Sequence, residues 1–225
     1  MRAMLIAVLL ACLPTLHAES IVFPDDAGII DLSKEPYLLK GDGTMDCAPA
    51  FQKAIDDWKG KNATLYLPNG TYLVADQLYV GGKAHSPDRF LTFQGQSERG
   101  TVIRLKDSCP GFTDPAKPKT VLNLYEGAHT NDCMHGYVRN LTVDVGAGNP
   151  GAIGIDFIAN NRGTVENVRI RAAAGSGHKG LAMDRHWPGP ALVKRVGAVA
   201  EPFPGLEYLL SLRPIETHLV FVAKT

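Results

Sequence analysis

The sequence predicts an all-β fold, a single-stranded right-handed parallel β-helix (a solenoid) with an N-terminal capping helix. Two observations carry this reading. First, Val138-Arg139-Asn140-Leu141-Thr142-Val143 returns 27 residues later as Val165-Glu166-Asn167-Val168-Arg169-Ile170, and Val193-Lys194-Arg195-Val196 echoes it 28 residues further on. Between them, Gly154-Ile155-Asp156-Phe157 and Gly180-Leu181-Ala182-Met183 repeat at a spacing of 26. Second, both runs alternate apolar with other residues, the period-2 signature of a strand. A constant period holding two strands is satisfied when each period makes one coil. Equivalent strands then stack in parallel about 4.8 Å apart, and apolar residues of like parity form inward columns. Leucine-rich or ankyrin repeats need a Leu-rich consensus or a helix in every period, and neither is present. A β-sandwich has no reason to keep a fixed period.

Taken in order, Met1-Arg2 is a short positive start and Ala3 to Leu13 is an unbroken apolar run. Pro14 breaks the run, and Leu16-His17-Ala18 ends in a small residue before Glu19. Residues 1–18 therefore read as a secretory signal peptide, the apolar run being shorter than the roughly 20 residues a membrane span requires. The mature protein is expected to be secreted or periplasmic, with no membrane contact after cleavage. Residues 19–63 form a lead-in segment and the capping helix. Asp46 is the expected N-cap and Pro49 sits in the first turn. Phe51, Ala54, Ile55 and Trp58 make one apolar stripe, and Gly60 stops the helix. Residues 64–196 are the coils. Their short runs are Leu65–Leu67, Thr71–Val74, Leu78–Val80, Leu91–Phe93, Thr101–Leu105, Val121–Leu124, Val138–Val143, Ile153–Ile158, Val165–Arg171, Leu181–Met183 and Leu192–Val196. Asn140 and Asn167 fall where a coil turns and are expected to stack as a hydrogen-bonded ladder. After Val196 the repeat disappears. Residues 197–225 form an atypical tail that reads as an unusual cap or, better, as a truncated or frame-shifted end.

Composition narrows the function classes. With 23 basic and 23 acidic side chains the net charge is zero, so no nucleic-acid partner is expected. Cleavage of the signal peptide leaves Cys47, Cys109 and Cys133; export permits disulfides, and Cys109 with Cys133 is the expected pair because they flank a Pro-rich stretch. His129, Cys133 and His135 lie close together, but their spacing matches no standard ligand pattern, so no metal site is expected there.

The series Lys40-Gly41-Asp42-Gly43-Thr44-Met45-Asp46, the helix after it, Leu65-Tyr66-Leu67-Pro68-Asn69-Gly70-Thr71-Tyr72, Leu91-Thr92-Phe93-Gln94-Gly95 and Thr101-Val102-Ile103-Arg104-Leu105 resembles the N-terminal part of the pectate-lyase superfamily domain. Polygalacturonase-like and rhamnogalacturonase-like proteins share that part. The resemblance implies a parallel β-helix and a polysaccharide substrate. The family's usual second Asp after Asp46 is Cys47 here. Polygalacturonase-type enzymes carry Asn-Thr-Asp, Asp-Asp, Gly-His-Gly and Arg-Ile-Lys in that order, and this chain does not, so no catalytic residue transfers from them.

The candidate chemistry comes from the repeat itself. Aligning the Gly-led strands points Ile155, Phe157, Leu181 and Met183 inward and puts Asp156 and Asp184 outward on adjacent coils, two residues out of step. One strand spacing and two residue rises separate them by about 8 Å, within the range that suits the acid and base of an inverting glycosidase. Arg185 serves equally to hold a uronate carboxylate or abstract a proton in a lyase. His186 follows as a substrate contact, and Trp187 as a surface on which a sugar ring stacks. No cofactor is expected for a hydrolase; lyase chemistry would bring Ca²⁺, with Asp144 as one candidate ligand. The sequence thus describes a carbohydrate-active protein that cleaves or binds a polysaccharide, by lyase or glycosidase chemistry where it cleaves, or else a non-catalytic glycan-binding or adhesion module or an inactive fragment.

Overall fold

A computed structural model describes residues 21–81, 90–124, 134–158, 162–184, 191–200, 210–212 and 221–223. The chain enters through β1 (Ile29–Asp31) and β2 (Asp42–Asp46), then the helix α1 (Ala48–Trp58). The coils follow as β3 (Ala63–Leu67), β4 (Gly70–Val74), β5 (Leu78–Tyr79), β6 (Leu91–Gly95), β7 (Thr101–Leu105), β8 (Lys119–Asn123), β9 (Tyr137–Asp144), β10 (Ala152–Asp156), β11 (Gly163–Ala172), β12 (Lys179–Met183) and β13 (Ala191–Ala200). Two short strands, β14 (Leu210–Leu212) and β15 (Phe221–Ala223), complete the order.

Every strand pairing among the described residues is parallel, as the period requires. The strands make three faces. β1, β3, β6 and the first halves of β9, β11 and β13 form the first face. β2, β4, β7 and the second halves of the same long strands form the next. The third is a separate sheet in the order β14-β12-β10-β8-β5. Each face sends apolar columns inward, and one from each shows the register. On the first face Leu65, Phe93, Val138, Val165 and Val193 are in register and at most 3% exposed. On the second the column is Tyr72, Ile103, Val143 and Ile170. On the third it is Leu78, Leu122, Ile155 and Leu181. Each fully buried side chain of this size contributes about 1.5–3 kcal/mol relative to exposure, and the three columns meet in a single core.

The corner between the first two faces is the expected ladder. Asn140, Asn167 and Arg195 all have left-handed φ, 56°, 52° and 50°. That conformation strains most L residues, and Asn tolerates it. Asn167 Nδ2 donates to Asn140 Oδ1 at 2.9 Å, and Arg195 Nε donates to Asn167 Oδ1. The Arg in the Asn position thus continues the ladder.

Several features of the lead-in segment differ from the sequence reading. β1 and β2 are themselves rungs, paired with β3 and β4. They carry too few apolar residues to announce themselves by alternation. Gly41 and Gly70 explain part of the Gly-Asp-Gly signature: a Cβ on either would lie within 3.0 Å of the other's Cα, so the lead-in backbone packs directly on the β3–β4 turn. The N-cap residue of α1 is Cys47, one later than expected, and its side chain makes no cap bond. Asp46 Oδ1 does that work from outside, accepting from Ala48 N at 2.9 Å and Ala75 N at 3.0 Å. Phe51, Ala54 and Ile55 are fully buried, with the Phe51 ring 6.1 Å from that of Phe93. Gln52 completes the cap. Its side-chain amide donates to Tyr79 O (2.7 Å) and accepts from Tyr79 N (2.9 Å), pairing with β5 as a strand would. At the other end, β13 continues past Val196 to Ala200, and β14 and β15 add a rung on β12 and β13.

Candidate functional site

The wall singled out by the sequence is the outer surface of the third sheet. Asp156 ends β10 and stands in register with Asn123 of β8 on one side and Ala182 of β12 on the other. Asn123 in turn faces Tyr79 of β5. The residue before each (Leu78, Leu122, Ile155, Leu181) is fully buried in the core column, so Tyr79, Asn123, Asp156 and Ala182 form an outward column by parity, in which Asn123 (8% exposed) and Ala182 (3%) are nevertheless covered. Asp184 lies two residues beyond Ala182. The expected alignment of Ile155 with Leu181 holds, and it carries Asp156 and Asp184 to backbone positions about 8 Å apart.

Asp184 has a partner that the sequence did not suggest. Lys179, at the start of the same strand, forms an ion pair with its carboxylate, and both side chains are about 30% exposed. Nearby, Lys119 pairs with Asp76 at 2.5 Å and lies 5.0 Å from the Phe112 ring centre. Gln77 donates to the Thr120 carbonyl at 3.0 Å. Arg185, His186 and Trp187 lie outside the described residues. Asn123 was missed because a long connection separates its strand from the next and hides the period. Its only signal was its place in the Val121–Leu124 run.

Asp144 is not on this wall. It ends β9 on the second face, in register with Arg104 of β7 and Arg171 of β11. Its Oδ2 accepts from Arg171 Nε at 2.9 Å and lies 3.6 Å from Arg104 Nε, while Oδ1 accepts from Gly146 N at 2.9 Å. Arg104 also reaches Asp107 at 2.7 Å. These groups line a recess of about 230 Å³ floored by Gly146, Ala147, Ala172 and Ala173. A carboxylate between two guanidiniums is a poor place for a divalent cation, so Asp144 does not fit the Ca²⁺ role. Among the described residues no group of three or more His, Cys, Asp or Glu is placed to hold a metal ion. Nearby, Asn149 is fully buried and ties the corner together. Its Oδ1 accepts from Cys109 N, and its Nδ2 donates to the carbonyls of Lys106 and Val145.

Cys47 and Cys109 are buried thiols, and burial raises the pKa of both. Cys109 Sγ lies 3.1 Å from the Ala75 carbonyl. Its expected disulfide partner, Cys133, lies outside the described residues, as does His129.

Residues 36–189 match the family described as rhamnogalacturonase A/epimerase, pectate lyase-like. The chain is also similar to a glucan 1,3-beta-glucosidase of Cochliobolus carbonum, 27% identical over 166 residues that make up 66% of this chain and 20% of that protein. It therefore spans about a fifth of the length of that curated relative. Among solved structures it is similar to the A-module of the mannuronan C-5 epimerase AlgE4 of Azotobacter vinelandii (17% identity, TM-score 0.46, 76% of this chain and 51% of that one). It is likewise similar to the ORF18 protein of Geobacillus virus E2 (16% identity, TM-score 0.46, 76% and 36%). Among the described residues no helix is long and apolar enough to cross a membrane.

Proposed function

We propose that this chain, which belongs to the rhamnogalacturonase A/epimerase, pectate lyase-like family, is part of an exported protein that holds an extended polysaccharide against the outer face of the third sheet and hydrolyses it there. The observation that carries the reading is the register of β10 with β12. It brings the backbones of Asp156 and Asp184 onto neighbouring rungs about 8 Å apart, which supports a pair of carboxylates working across one glycosidic bond. Asp156 is the proton donor to the glycosidic oxygen as the C–O bond breaks. Asp184 takes a proton from the water that attacks the anomeric carbon, and a new reducing end is formed. Its ion pair with Lys179 suits the base role, because a carboxylate beside an ammonium is a poor proton donor. Asn123, one rung back in the same column, is the polar side chain nearest Asp156 on that side. Arg185, His186 and Trp187 follow Asp184 directly in sequence and are assigned to substrate contact. The sequence pattern at 1–18, read as a signal peptide, supports a secreted or periplasmic location.

A second reading has one observation in its favour. The Lys179–Asp184 pair is also what an ordinary solvated wall looks like, and it then belongs to a non-catalytic glycan-binding module. Incubation of the mature protein with a panel of neutral and acidic polysaccharides separates these. New reducing ends without absorbance from unsaturated ends are expected, together with a loss of about a hundredfold or more in rate for both Asp156→Asn and Asp184→Asn. Unsaturated ends would mean elimination and replace the hydrolase assignment with a lyase. Binding with no new ends on any substrate would leave the module reading standing.

A further inference from the structure

We infer that a second sugar-binding site lies at the N-terminal end of the coil, between residues 21–25 and the first rung, and that it takes a neutral sugar unit. The inference rests on the reading of the chain as polysaccharide-acting, but it concerns residues other than those of the third-sheet wall. A cavity of about 400 Å³ opens there, within the usual range for small-ligand sites. Its aromatic lining comes from Phe23, Tyr37 and Trp58. Trp58 Nε1 donates to Tyr37 Oη at 2.8 Å, and Tyr37 Oη donates to Asp57 at 2.9 Å. The polar edges of both rings are thus committed to each other and to the helix, so the rings are held in place before any ligand arrives. Flat, fixed aromatic surfaces suit the C–H faces of a pyranose ring.

The polar lining is mainly acidic. Asp25, Asp31 and Glu35 line it with one ammonium, Lys34; beyond the lining, Lys53 lies 5.7 Å from the Tyr37 ring centre, where it pairs with Asp57, and Lys61 lies 5.1 Å from that of Trp58. Asp31 Oδ1 is occupied by the Ser33 backbone N–H (2.9 Å) and hydroxyl (2.7 Å). Neither Asp25 nor Glu35 forms an ion pair among the described residues. Carboxylates are good acceptors for sugar hydroxyls, while an excess of negative charge repels a uronate. The site therefore favours neutral sugars.

A separate observation points to a polar ligand at the same place. Tyr66 is 2% exposed, yet its hydroxyl has no hydrogen-bond partner among the described residues. Tyr66 is not itself in the lining, but it is in register with Asp31 and has the Phe23 ring edge-on at 4.8 Å, and both of those residues line the cavity. A buried hydroxyl without a partner destabilises the free protein, and such groups in native proteins call for an explanation. A sugar hydroxyl entering beside Phe23 and Asp31 supplies one.

Trp58 makes the test direct, because the chain has two tryptophans and Trp187→Phe leaves Trp58 as the reporter. Short oligomers of glucose, galactose or mannose are expected to give a saturable change in Trp58 emission. Oligogalacturonides should bind at least tenfold more weakly. The double variant Asp25→Asn/Glu35→Gln should weaken the neutral ligand about tenfold and narrow its advantage over the uronate. Tyr66→Phe should weaken binding while leaving the free protein as stable or more so, an opposition that a merely structural tyrosine does not produce. Silence of Trp58 towards every neutral oligomer, or an equal response to uronates, overturns the inference. Depletion of the unmodified protein by insoluble polysaccharides is run alongside. If depletion persists while Trp58 is silent, the second site alone fails; if neither occurs, the polysaccharide reading fails with it.

Discussion

Replacing Asn167 by Ala and by Gly gives a sharp test of the stacked-coil account, because the structure inverts the usual order of the two. Asn167 donates to Asn140 at 2.9 Å and accepts from Arg195, and it holds φ at 52°. Both variants lose the two side-chain hydrogen bonds, which contribute about 1 kcal/mol each. Ala also adopts the left-handed conformation at a cost of roughly 1–2 kcal/mol. Gly adopts it freely and costs only about 0.4–1 kcal/mol through its greater freedom in the unfolded chain. The expected losses are therefore about 3–4 kcal/mol for Asn167→Ala and about 2–3 for Asn167→Gly. At an ordinary strand position the order reverses, with Gly the worse by roughly 0.5–1 kcal/mol. Arg169, outward on the same strand and free of positive φ, supplies that control. Urea unfolding of the four variants measures the differences as shifts in midpoint at constant slope. If Gly is no better than Ala at 167, or if both match the parent within about 0.5 kcal/mol, a stability contribution from the ladder is refuted.

Three other outcomes follow from the same geometry. Gln52→Ala removes both bonds to the Tyr79 backbone and should cost about 1–2 kcal/mol, with faster hydrogen exchange at the Tyr79 amide than elsewhere in the third sheet. Phe93→Ala empties the centre of the first-face column beneath α1 and should cost about 3–5 kcal/mol by the same urea measurement. The third outcome concerns alkaline pH. Burial pushes the Tyr37 phenol up to about 12, with the hydrogen bond to Asp57 adding to the rise and the Trp58 N–H opposing it. A folded-state pKa above the unfolded value near 10 means that Tyr37 contributes stability below pH 10 and loses it between pH 10 and about 12. The unfolding midpoint of the parent should fall across that window, and Tyr37→Phe should flatten the fall.

The inward columns were legible because packing enforces them. Val138, Val165 and Val193 lie in register and must all be apolar and of similar size, so the sequence repeats where the coils do. The αL corner imposes a second constraint, which Asn140 and Asn167 meet in the same way. Where a constraint weakened, so did the signal. Phe93 and Val138 are neighbours in the column, yet two long connections push them far out of period. β2 is mostly exposed and shows no alternation, so its pairing with β4 was invisible. Asp46 was rightly tied to the helix start, but its second bond, to Ala75, depends on the next coil and could not be foreseen.

The outer walls obey a different logic, and this is why the candidate site was only half legible. An outward residue needs no apolar neighbour above or below it, so the column Tyr79, Asn123, Asp156, Ala182 repeats nothing along the chain. Asp156 and Asp184 could be paired only because their strands happened to share the Gly-led repeat; Asn123, in the same column, could not. The Arg104–Asp144–Arg171 stack makes the same point from the other side. Asp144 read in isolation suggested a cation ligand, and only the two arginines in register with it show that its charge is already met. In a solenoid, then, the unit of function is a column, and a side chain's role is set by the rungs directly above and below it. The proposed base role of Asp184 rests on a neighbour of another kind, Lys179 at the start of its own strand. Substituting Lys179, which pairs with the Asp184 carboxylate, therefore probes Asp184. If Asp184 is the base, Lys179→Met should move the acidic limb of the pH–rate profile upward by removing the ammonium that favours the carboxylate, and leave the basic limb in place. If both limbs stay where they are while the rate is unchanged, Asp184 takes no part in proton transfer.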